Sequence, residues 1–227
     1  MSRVPGSSVP QATKPGIVRY TAGQRANHWI TAIAFVLLAA SGLAFFHPAF
    51  FPLTALFGSG QWARILHPWI GVAMFGSFLI LALTMWRRNL WEQNDTQWIE
   101  QVNDVVMNRD ELMPPIGKYN PGQKLLFFAM VGSMIVLLLT GIVIWRSVFG
   151  QLIAWPIGLY RLSALLHAFT AFVLIAGIIV HVYSAIWVKG SITAMVRGSV
   201  SRAWARHHHP RWYEETTGRS ASHDRRV

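Results

Sequence analysis

The chain has 227 residues, of which 53% are hydrophobic and only 13% are charged, and its formal net charge is +11. A soluble domain has about a quarter of its residues charged, so this composition excludes an ordinary soluble globule and a disordered chain. The absence of cysteine excludes disulfides, thiolate-bound iron–sulfur clusters, zinc–cysteine sites and covalently attached c-type haem. Most of the basic excess lies beside apolar runs rather than in one patch, and we therefore expect no nucleic-acid partner.

Four apolar runs dominate the sequence. Residues 29–46, 66–86, 125–145 and 162–188 contain no Asp, Glu, Lys or Arg, and about 20 mainly apolar residues are enough for a helix to cross a bilayer. We predict an all-α integral membrane four-helix bundle formed by residues 17–200, with spans at about 26–46, 66–87, 123–146 and 159–189. Residues 1–16 are expected to form a mobile tail and residues 201–227 a basic, solvated tail.

The basic residues predict the orientation of the bundle. Of the 20 Lys and Arg residues, 17 lie in the two tails and in the connection between spans two and three, whereas only Arg64, Arg146 and Arg161 lie in the other two connections. Lys and Arg concentrate on the cytoplasmic side of membrane proteins. We therefore predict that both termini are cytoplasmic and that the membrane lipid is a direct partner of the chain.

Two connections carry apolar side chains at unexpected density. Residues 94–112 have the spacing of an amphipathic helix, which predicts a short helix on the cytoplasmic face. Its apolar positions are Trp98, Ile99, Val102, Val105 and Val106. Residues 47–65 form a short outer connection that is too apolar for a solvated loop, which indicates contact with a partner or with lipid headgroups. Its large apolar residues are Phe50, Phe51, Leu53, Leu56 and Phe57.

Four histidines lie within or at the ends of the apolar runs, where ionisable side chains are costly and usually functional. His28 is at the inner end of span one, and His67 is at the outer end of span two. His167 and His181 are 14 residues apart in span four, which places them on nearly the same helix face and about 21 Å apart. Depth therefore pairs His67 with His167 near the outer side and His28 with His181 near the inner side.

Two imidazoles at one depth on different helices match the axial ligands of a b-type haem, because each neutral ring offers a lone pair to iron. The four positions therefore predict two haem b groups. Two alternatives remain open: histidines that relay protons in a haem-free anchor, and zinc, whose tetrahedron would be only half filled by two ligands. His47 is expected to be an interfacial residue, and the histidines at 207–209 are expected to lie in the solvated tail, although such a run can also trap metal.

Several segments together resemble one known family, the cytochrome b subunits of membrane-bound respiratory formate dehydrogenases. The resemblance extends from about residue 17 to residue 215. The segments that carry it are VRYTAGQRANHWITA at 18–32, ARILHPWIGV at 63–72, KYNPGQK at 118–124, LLHAFTA at 165–171, HVYSAIWVKGSITAM at 181–195 and AWARHHHPRWYEE at 203–215.

The resemblance implies the gamma subunit of a complex in the bacterial cytoplasmic (inner) membrane. In that family an alpha subunit with molybdenum or tungsten oxidises formate outside the membrane, and an iron–sulfur beta subunit passes the electrons on. The family ligates two b haems at the positions of His28, His67, His167 and His181. It reduces menaquinone or ubiquinone near the cytoplasmic face, where its quinone-contacting positions match Asn120, Gly122 and His181.

The residues also limit what the chain does alone. It has neither cysteines for clusters nor a soluble pocket with a nucleophile or base, so we expect no catalytic residue for formate oxidation in it. The same di-haem arrangement is equally compatible with a cytochrome b subunit of a hydrogenase or of a thiosulfate or polysulfide reductase. Only the resemblance favours formate dehydrogenase among these.

Overall fold

Four long helices coincide with the four apolar runs. The computed structural model describes residues 16–107, 109, 113–150 and 152–221. In chain order its elements are β1 (Ile17–Val18), α1 (Ala22–Phe46), a 3-10 helix (Pro48–Phe57), α2 (Gly60–Met85), a 3-10 turn (Trp86–Asn89), α3 (Gln93–Glu100), α4 (Val102–Val106), α5 (Pro121–Ile144), α6 (Ile157–Trp187), α7 (Ser191–Arg197), β2 (Ser199–Val200), α8 (Arg202–His208) and α9 (Pro210–Thr217).

The long helices expose their apolar side chains rather than burying them. In the most apolar stretch of α1, α2, α5 and α6, only 11–17% of the residues are buried within the protein. A protein with so much exposed apolar surface would be unstable in water. In a bilayer the same side chains contact lipid chains that are equally apolar. The predicted all-α membrane bundle is confirmed.

Polar caps at Thr21, Ser59 and Asn120 start α1, α2 and α5 before the predicted spans. Thr21 forms a capping box with Gln24, in which each backbone N–H donates to the other residue's side-chain oxygen at 3.1 and 3.3 Å. The backbone N–H of Trp62 donates to Ser59 at the start of α2 (3.2 Å). Because capping residues are polar, they lie outside the apolar runs from which the spans were predicted.

The bundle consists of two helical hairpins, α1 with α2 and α5 with α6, which contact each other through α2 with α5 and α1 with α6. Its centre is an apolar layer in which Met74, Met134 and Leu174 are at most 6% exposed. Leu174 is seven residues from both His167 and His181. The layer therefore separates the two histidine depths.

The bundle has two unlike ends. We call the end with the 3-10 helix (Pro48–Phe57) and residues 145–156 the loop face, and the end with both described chain ends the terminal face. On the terminal face, the amphipathic helix predicted at 94–112 is two short helices, α3 and α4, separated at Gln101. Residues 108 and 110–112 of that prediction, and the side chains of Val105 and Val106, lie outside what the structure describes.

A buried ion pair fixes α3 to the start of α5. The Lys124 ammonium lies 2.6 Å from the Asp95 carboxylate, with both side chains at most 4% exposed, and it also donates to the carbonyl of Leu90 at 3.0 Å. Trp98 is buried on the same helix, as its amphipathic spacing predicted. The ion pair therefore attaches a helix of the terminal face directly to the first turn of a membrane-spanning helix.

The C-terminal segment differs from the solvated tail that its charge predicts. Helices α8 and α9 pack with the antiparallel pair β1–β2 around one buried cluster, which we call the terminal cap. It contains Ile17, Ala194, Val200, Ala205, Trp212, Tyr213 and Ala221. Apolar and aromatic residues among the basic ones provide the reason, because burying each stabilises the segment by about 1.5–3 kcal/mol. Residues 1–15 and 222–227, the ends of the two predicted tails, lie outside the described residues.

Candidate functional site

The structure brings His67 and His167 together near the loop face. His67 lies on α2 and His167 on α6. Their ring centres are 6.3 Å apart and their planes make an angle of 60°. The predicted pairing by depth therefore corresponds to a real juxtaposition across the two hairpins.

A hydroxyl group orients each of these two rings. Ser41 Oγ lies 2.7 Å from His67 Nδ1 and 2.9 Å from the carbonyl of Leu37. Thr140 Oγ1 lies 2.8 Å from His167 Nδ1 and 2.6 Å from the Val136 carbonyl. A hydroxyl has one proton, and the carbonyls take it, so both hydroxyls accept a hydrogen bond from Nδ1–H. Each Nε2 then keeps a free lone pair.

A glycine follows each orienting hydroxyl and faces the same ring. A Cβ atom on Gly42 would lie 3.7 Å from His67 Cε1, and one on Gly141 would lie 3.5 Å from His167 Cε1. Sequence reasoning included Gly42 among small residues beside the histidines but gave no role to Ser41, Thr140 or Gly141. The signal that would have revealed them is the Ser-Gly and Thr-Gly pair near the loop-face ends of α1 and α5.

His28 and His181 form the second pair, near the terminal face. Their ring centres are also 6.3 Å apart, with planes at 45°. His28 packs edge-on against Trp29 at 5.5 Å. Its Nδ1 is buried without a hydrogen-bond partner among the described residues. The two pairs therefore share their spacing and differ in how their rings are held.

A polar cluster beside His28 ties α1 to α2 instead. Ser77 Oγ donates to Asn27 Oδ1 at 2.6 Å, and Asn27 Nδ2 donates to the Ser77 carbonyl at 2.9 Å. Thr31 Oγ1 lies 2.7 Å from Ser77 Oγ. Hydrogen bonds between membrane helices stabilise their contact by about 0.6 kcal/mol each. The cluster fixes the helix that carries His28 without holding the ring itself.

The spacing of both pairs suits one metal ion between two imidazoles. A ligating imidazole nitrogen lies about 2 Å from its metal, so two rings on opposite sides of one ion have their centres about 6 Å apart. Among the described residues, no group of three or more His, Cys, Asp or Glu side chains can hold a metal. Zinc would therefore lack half its ligands here, whereas a porphyrin supplies four of six ligands to iron and needs only two from the protein.

Asn120 begins α5 near the depth of His181. A Cβ atom on Gly177, four residues before His181, would lie 3.4 Å from Leu126 Cδ1, six residues after Asn120. Both intervals run toward the terminal face, and at 1.5 Å per residue they differ by only about 3 Å in depth. The structure thus brings the candidate quinone positions to one level.

The Asn120 side chain is only partly used by the helix start. Its Oδ1 accepts a hydrogen bond from the Gln123 N–H at 2.8 Å, and the Gln123 side chain accepts one from the Asn120 N–H at 3.0 Å. Asn120 Nδ2 donates to no other described residue and remains available to a ligand. A Cβ atom on Gly122 would lie 3.4 Å from Asn120 Oδ1, so glycine leaves room beside this amide.

The terminal cap anchors the segment that precedes Asn120. Buried Arg19 donates to the Lys118 carbonyl at 2.6 Å and to His209 Nε2 at 3.1 Å. His209 Nδ1 donates to the Gly117 carbonyl at 2.8 Å. Burial, and then the charge of Arg19, lower the pKa of His209 to about 3. Sequence reasoning missed Arg19 and His209, whose contacts join residues 190 positions apart.

His47, His209 and the outer connection lie outside the two histidine pairs. His47 Nδ1 accepts from the Ala49 N–H at 3.2 Å and caps the 3-10 helix of the loop face. That helix exposes Phe50 (44%), Phe51 (57%) and Leu56 (66%), whereas Phe57 is only partly exposed. His209, from the run predicted to be solvated, is buried.

The chain is similar over most of its length to several known proteins. The formate dehydrogenase cytochrome b556(fdo) subunit of Escherichia coli K12 is 48% identical over 199 residues, covering 88% of this chain and 92% of the relative. The formate dehydrogenase cytochrome b556 subunit of Haemophilus influenzae Rd is 43% identical, covering 88% of this chain and 83% of the relative. The nitrate-inducible cytochrome b556(Fdn) subunit of E. coli K12 is 42% identical, covering 88% and 91%.

These relatives confirm the resemblance predicted from the sequence motifs. The family model described as prokaryotic cytochrome b561 matches residues 19–198, which include all four long helices in full. Haem b is the cofactor that such a cytochrome implies. The chain belongs to the prokaryotic cytochrome b561 family, among the cytochrome b556 subunits of formate dehydrogenases.

Proposed function

We propose that this chain carries electrons across a bacterial inner membrane, from an iron–sulfur subunit of formate dehydrogenase at the loop face to quinone at the terminal face. The strongest support is that the four histidines form two pairs at two depths, each with ring centres 6.3 Å apart. When bound, two b haems would supply one-electron transfer between the faces.

Each histidine has a distinct task in holding these groups. His67 and His167 would hold the loop-face haem iron through Nε2, because Ser41 and Thr140 occupy their Nδ1 atoms. His28 and His181 present a nitrogen to the terminal-face iron. The apolar layer around Met74, Met134 and Leu174 excludes water between the two levels, which favours electron transfer over proton leakage.

Quinone, menaquinone or ubiquinone, is the substrate at the terminal face. The free Nδ2 of Asn120 donates to one quinone carbonyl, and Gly122 lets the ring approach the backbone. His181 would hold the haem iron through one nitrogen and offer its other N–H to the quinone, directly or through water. The contact between Gly177 and Leu126 supports this arrangement, since it sets Asn120 and His181 at similar depth.

The loop face receives the partner subunits. Phe50, Phe51 and Leu56 form an exposed apolar ridge of the kind that becomes buried in stable interfaces. The iron–sulfur beta subunit docks there, and it connects to the molybdenum- or tungsten-containing alpha subunit that oxidises formate. With the terminal face in the cytoplasm, as the basic residues indicate, quinol takes its protons from inside while formate releases its proton outside.

One preparation tests this proposal as a whole. The chain is purified from its native membrane in mild detergent, its haem is counted against its protein, and formate is added. We expect two low-spin b haems per chain, co-purified iron–sulfur and catalytic subunits, and haem reduction by formate. A chain without haem would support a proton-relaying anchor. Haem reduction by hydrogen instead of formate, or oxidation of the reduced haems by thiosulfate or polysulfide, would assign the same bundle to another complex.

A further inference from the structure

A cavity of about 230 Å³ opens on the terminal face outside the histidine pairs. It lies between the turn that follows α2, the segment before α5 and helix α9. Five cations and two carboxylates line it, together with Gly117 and Tyr119. The charged residues are Arg87, Arg88, Lys118, Lys124 and Arg211, with Glu92 and Glu215.

The carboxylates neutralise only part of this positive charge. Glu215 lies 2.9 Å from Arg88 and 3.5 Å from Arg211, and Arg211 also pairs with Glu92. Lys124 is neutralised by Asp95. Among the described residues, no carboxylate lies within 4.0 Å of Arg87 or Lys118, which leaves two uncompensated cations facing one cavity.

The surroundings of the Lys118 ammonium favour an anion beside it. Its ammonium lies 5.0 Å from the ring centre of Tyr20 and 5.9 Å from that of Tyr119. Burial, and then the like charges of Arg19 and Arg88, lower the pKa of Lys118 to about 8. The aromatic faces favour a cation there, yet the ammonium lacks the acceptor that would balance its charge.

The depth of the cavity limits what reaches it. Arg87 and Arg88 lie in the 3-10 turn that follows α2, and Lys124 is in the first turn of α5. The cavity therefore lies where two spans leave the bilayer. Phospholipid phosphates occupy this depth, and basic pockets at the ends of membrane helices suit anionic headgroups. Arginine adds a planar fork of donors that matches phosphate oxygens.

We propose that this cavity binds a phosphate group, supplied by the headgroup of an anionic phospholipid. Arg87 and Lys118 provide the uncompensated charge, and Arg88 and Arg211 line the same space. A bound headgroup would also brace the segment Gly117–Lys118–Tyr119, which leads into α5. The inference depends on the membrane position of the chain and not on the haem or quinone assignments.

Native mass spectrometry of the delipidated full-length protein in mild detergent tests the site. Phosphatidylglycerol, phosphatidylcholine and inorganic phosphate are added in separate titrations. We expect one phosphatidylglycerol to bind at least tenfold more tightly than phosphatidylcholine, because each basic residue near a membrane surface contributes about fivefold in affinity for anionic lipid. Inorganic phosphate at equal concentration should not displace it.

Matched variants make the outcome decisive. Arg87→Gln and Lys118→Gln should each weaken phosphatidylglycerol binding about fivefold, whereas Lys118→Arg should stay within about twofold of the wild type. Arg64→Gln, which removes one exposed charge from the loop face, is the control and should change nothing. Because Arg87 is exposed, Arg87→Gln tests the site even where Lys118→Gln disturbs the cap.

Three results would overturn the proposal. The first is equal binding of the two lipids, and the second is equal weakening by Arg64→Gln and Arg87→Gln. The third is binding of inorganic phosphate without phosphatidylglycerol, which would mean that the cavity takes a soluble phosphate and not a headgroup.

Discussion

The loop-face and terminal-face histidine pairs have the same spacing but different surroundings. At the loop face, Ser41 and Thr140 accept hydrogen bonds from the two rings. At the terminal face, His28 Nδ1 is buried with no such partner in the part of the chain that the structure describes, and the nearby hydroxyls of Thr31 and Ser77 bond to each other. Neighbouring hydroxyl groups orient the rings of the loop-face pair, whereas no hydrogen bond from a described side chain orients the rings of the terminal-face pair.

This difference has an electronic consequence. A ring that donates its other N–H to an acceptor is a more basic metal ligand, and a more basic ligand stabilises the oxidised metal. We therefore expect the loop-face haem to have the lower potential and the terminal-face haem the higher one. Electrons that enter at the loop face would then move energetically downhill toward quinone.

The largest effect should come from removing one ligand in either pair. His67→Ala or His167→Ala is expected to abolish the loop-face haem and leave the terminal-face haem, and His28→Ala or His181→Ala should do the reverse. Two imidazoles are needed for a six-coordinate low-spin iron, so loss of one ligand should remove that signal completely. Haem counting and the reduced-minus-oxidised spectrum measure this; loss of the wrong haem would disprove the pairing by depth.

The next largest effect concerns the terminal face alone. Asn120→Ala should leave haem reduction by formate intact and lower the rate of quinol formation at least tenfold, about 1.4 kcal/mol of lost transition-state stabilisation. Asn120→Asp is the matched variant, because it keeps the helix cap to Gln123 but loses the amide donor. Both variants should be slow with quinone. If Asn120→Asp were as fast as the wild type, the amide would act only as a cap.

Partner docking distinguishes the faces next. Phe50→Asp and Leu56→Asp should reduce recovery of the iron–sulfur subunit several-fold while both haems stay bound, since a buried charge costs several kcal/mol at an apolar interface. Val18→Asp places the same charge on an exposed residue of the terminal face and should recover the complex normally. A complex that survives both loop-face changes would show that this ridge rests against lipid headgroups.

Smaller shifts should follow when the orienting hydroxyls are removed. Ser41→Ala or Thr140→Val takes away one hydrogen bond of about 0.5–1.5 kcal/mol, and the potential of the loop-face haem should rise by about 20–60 mV. Ser41→Thr keeps the hydroxyl and should change it little. A redox titration resolves both haems, and an equal shift in the terminal-face haem would refute a local effect.

The spans and the histidine pairs are predictable because they depend on local composition and on the 3.6-residue period of the α-helix. The apolar runs determine the number of membrane-spanning helices, and a spacing of 14 residues puts His167 and His181 on one face. The roles of Ser41 and Thr140 were not predictable, since they depend on which residues of α1 and α5 stand at the depth of His67 and His167. Arg19 and His209 were missed for a similar reason: their contact joins the two ends of the chain, and a basic tail gives no local signal that it will fold.

The smallest effect is a pH dependence confined to the terminal cap. Burial and the charge of Arg19 lower the pKa of His209 to about 3, whereas the same histidine in an opened cap titrates near 6.5. The folded cap therefore takes up no proton between pH 6.5 and 3 while the opened one does, so the stability that His209 contributes is complete above pH 6.5 and falls with acidification. Between pH 7 and 6 the free energy of opening should drop by about 0.7 kcal/mol.

Hydrogen exchange of α8 and α9 measures this drop, with the mid-membrane amides of α5 as the internal reference. His209→Gln can still donate to the Gly117 carbonyl and accept from Arg19 but does not titrate, so its exchange should lose this pH dependence. An equal response in the variant would assign the effect to another group of the cap.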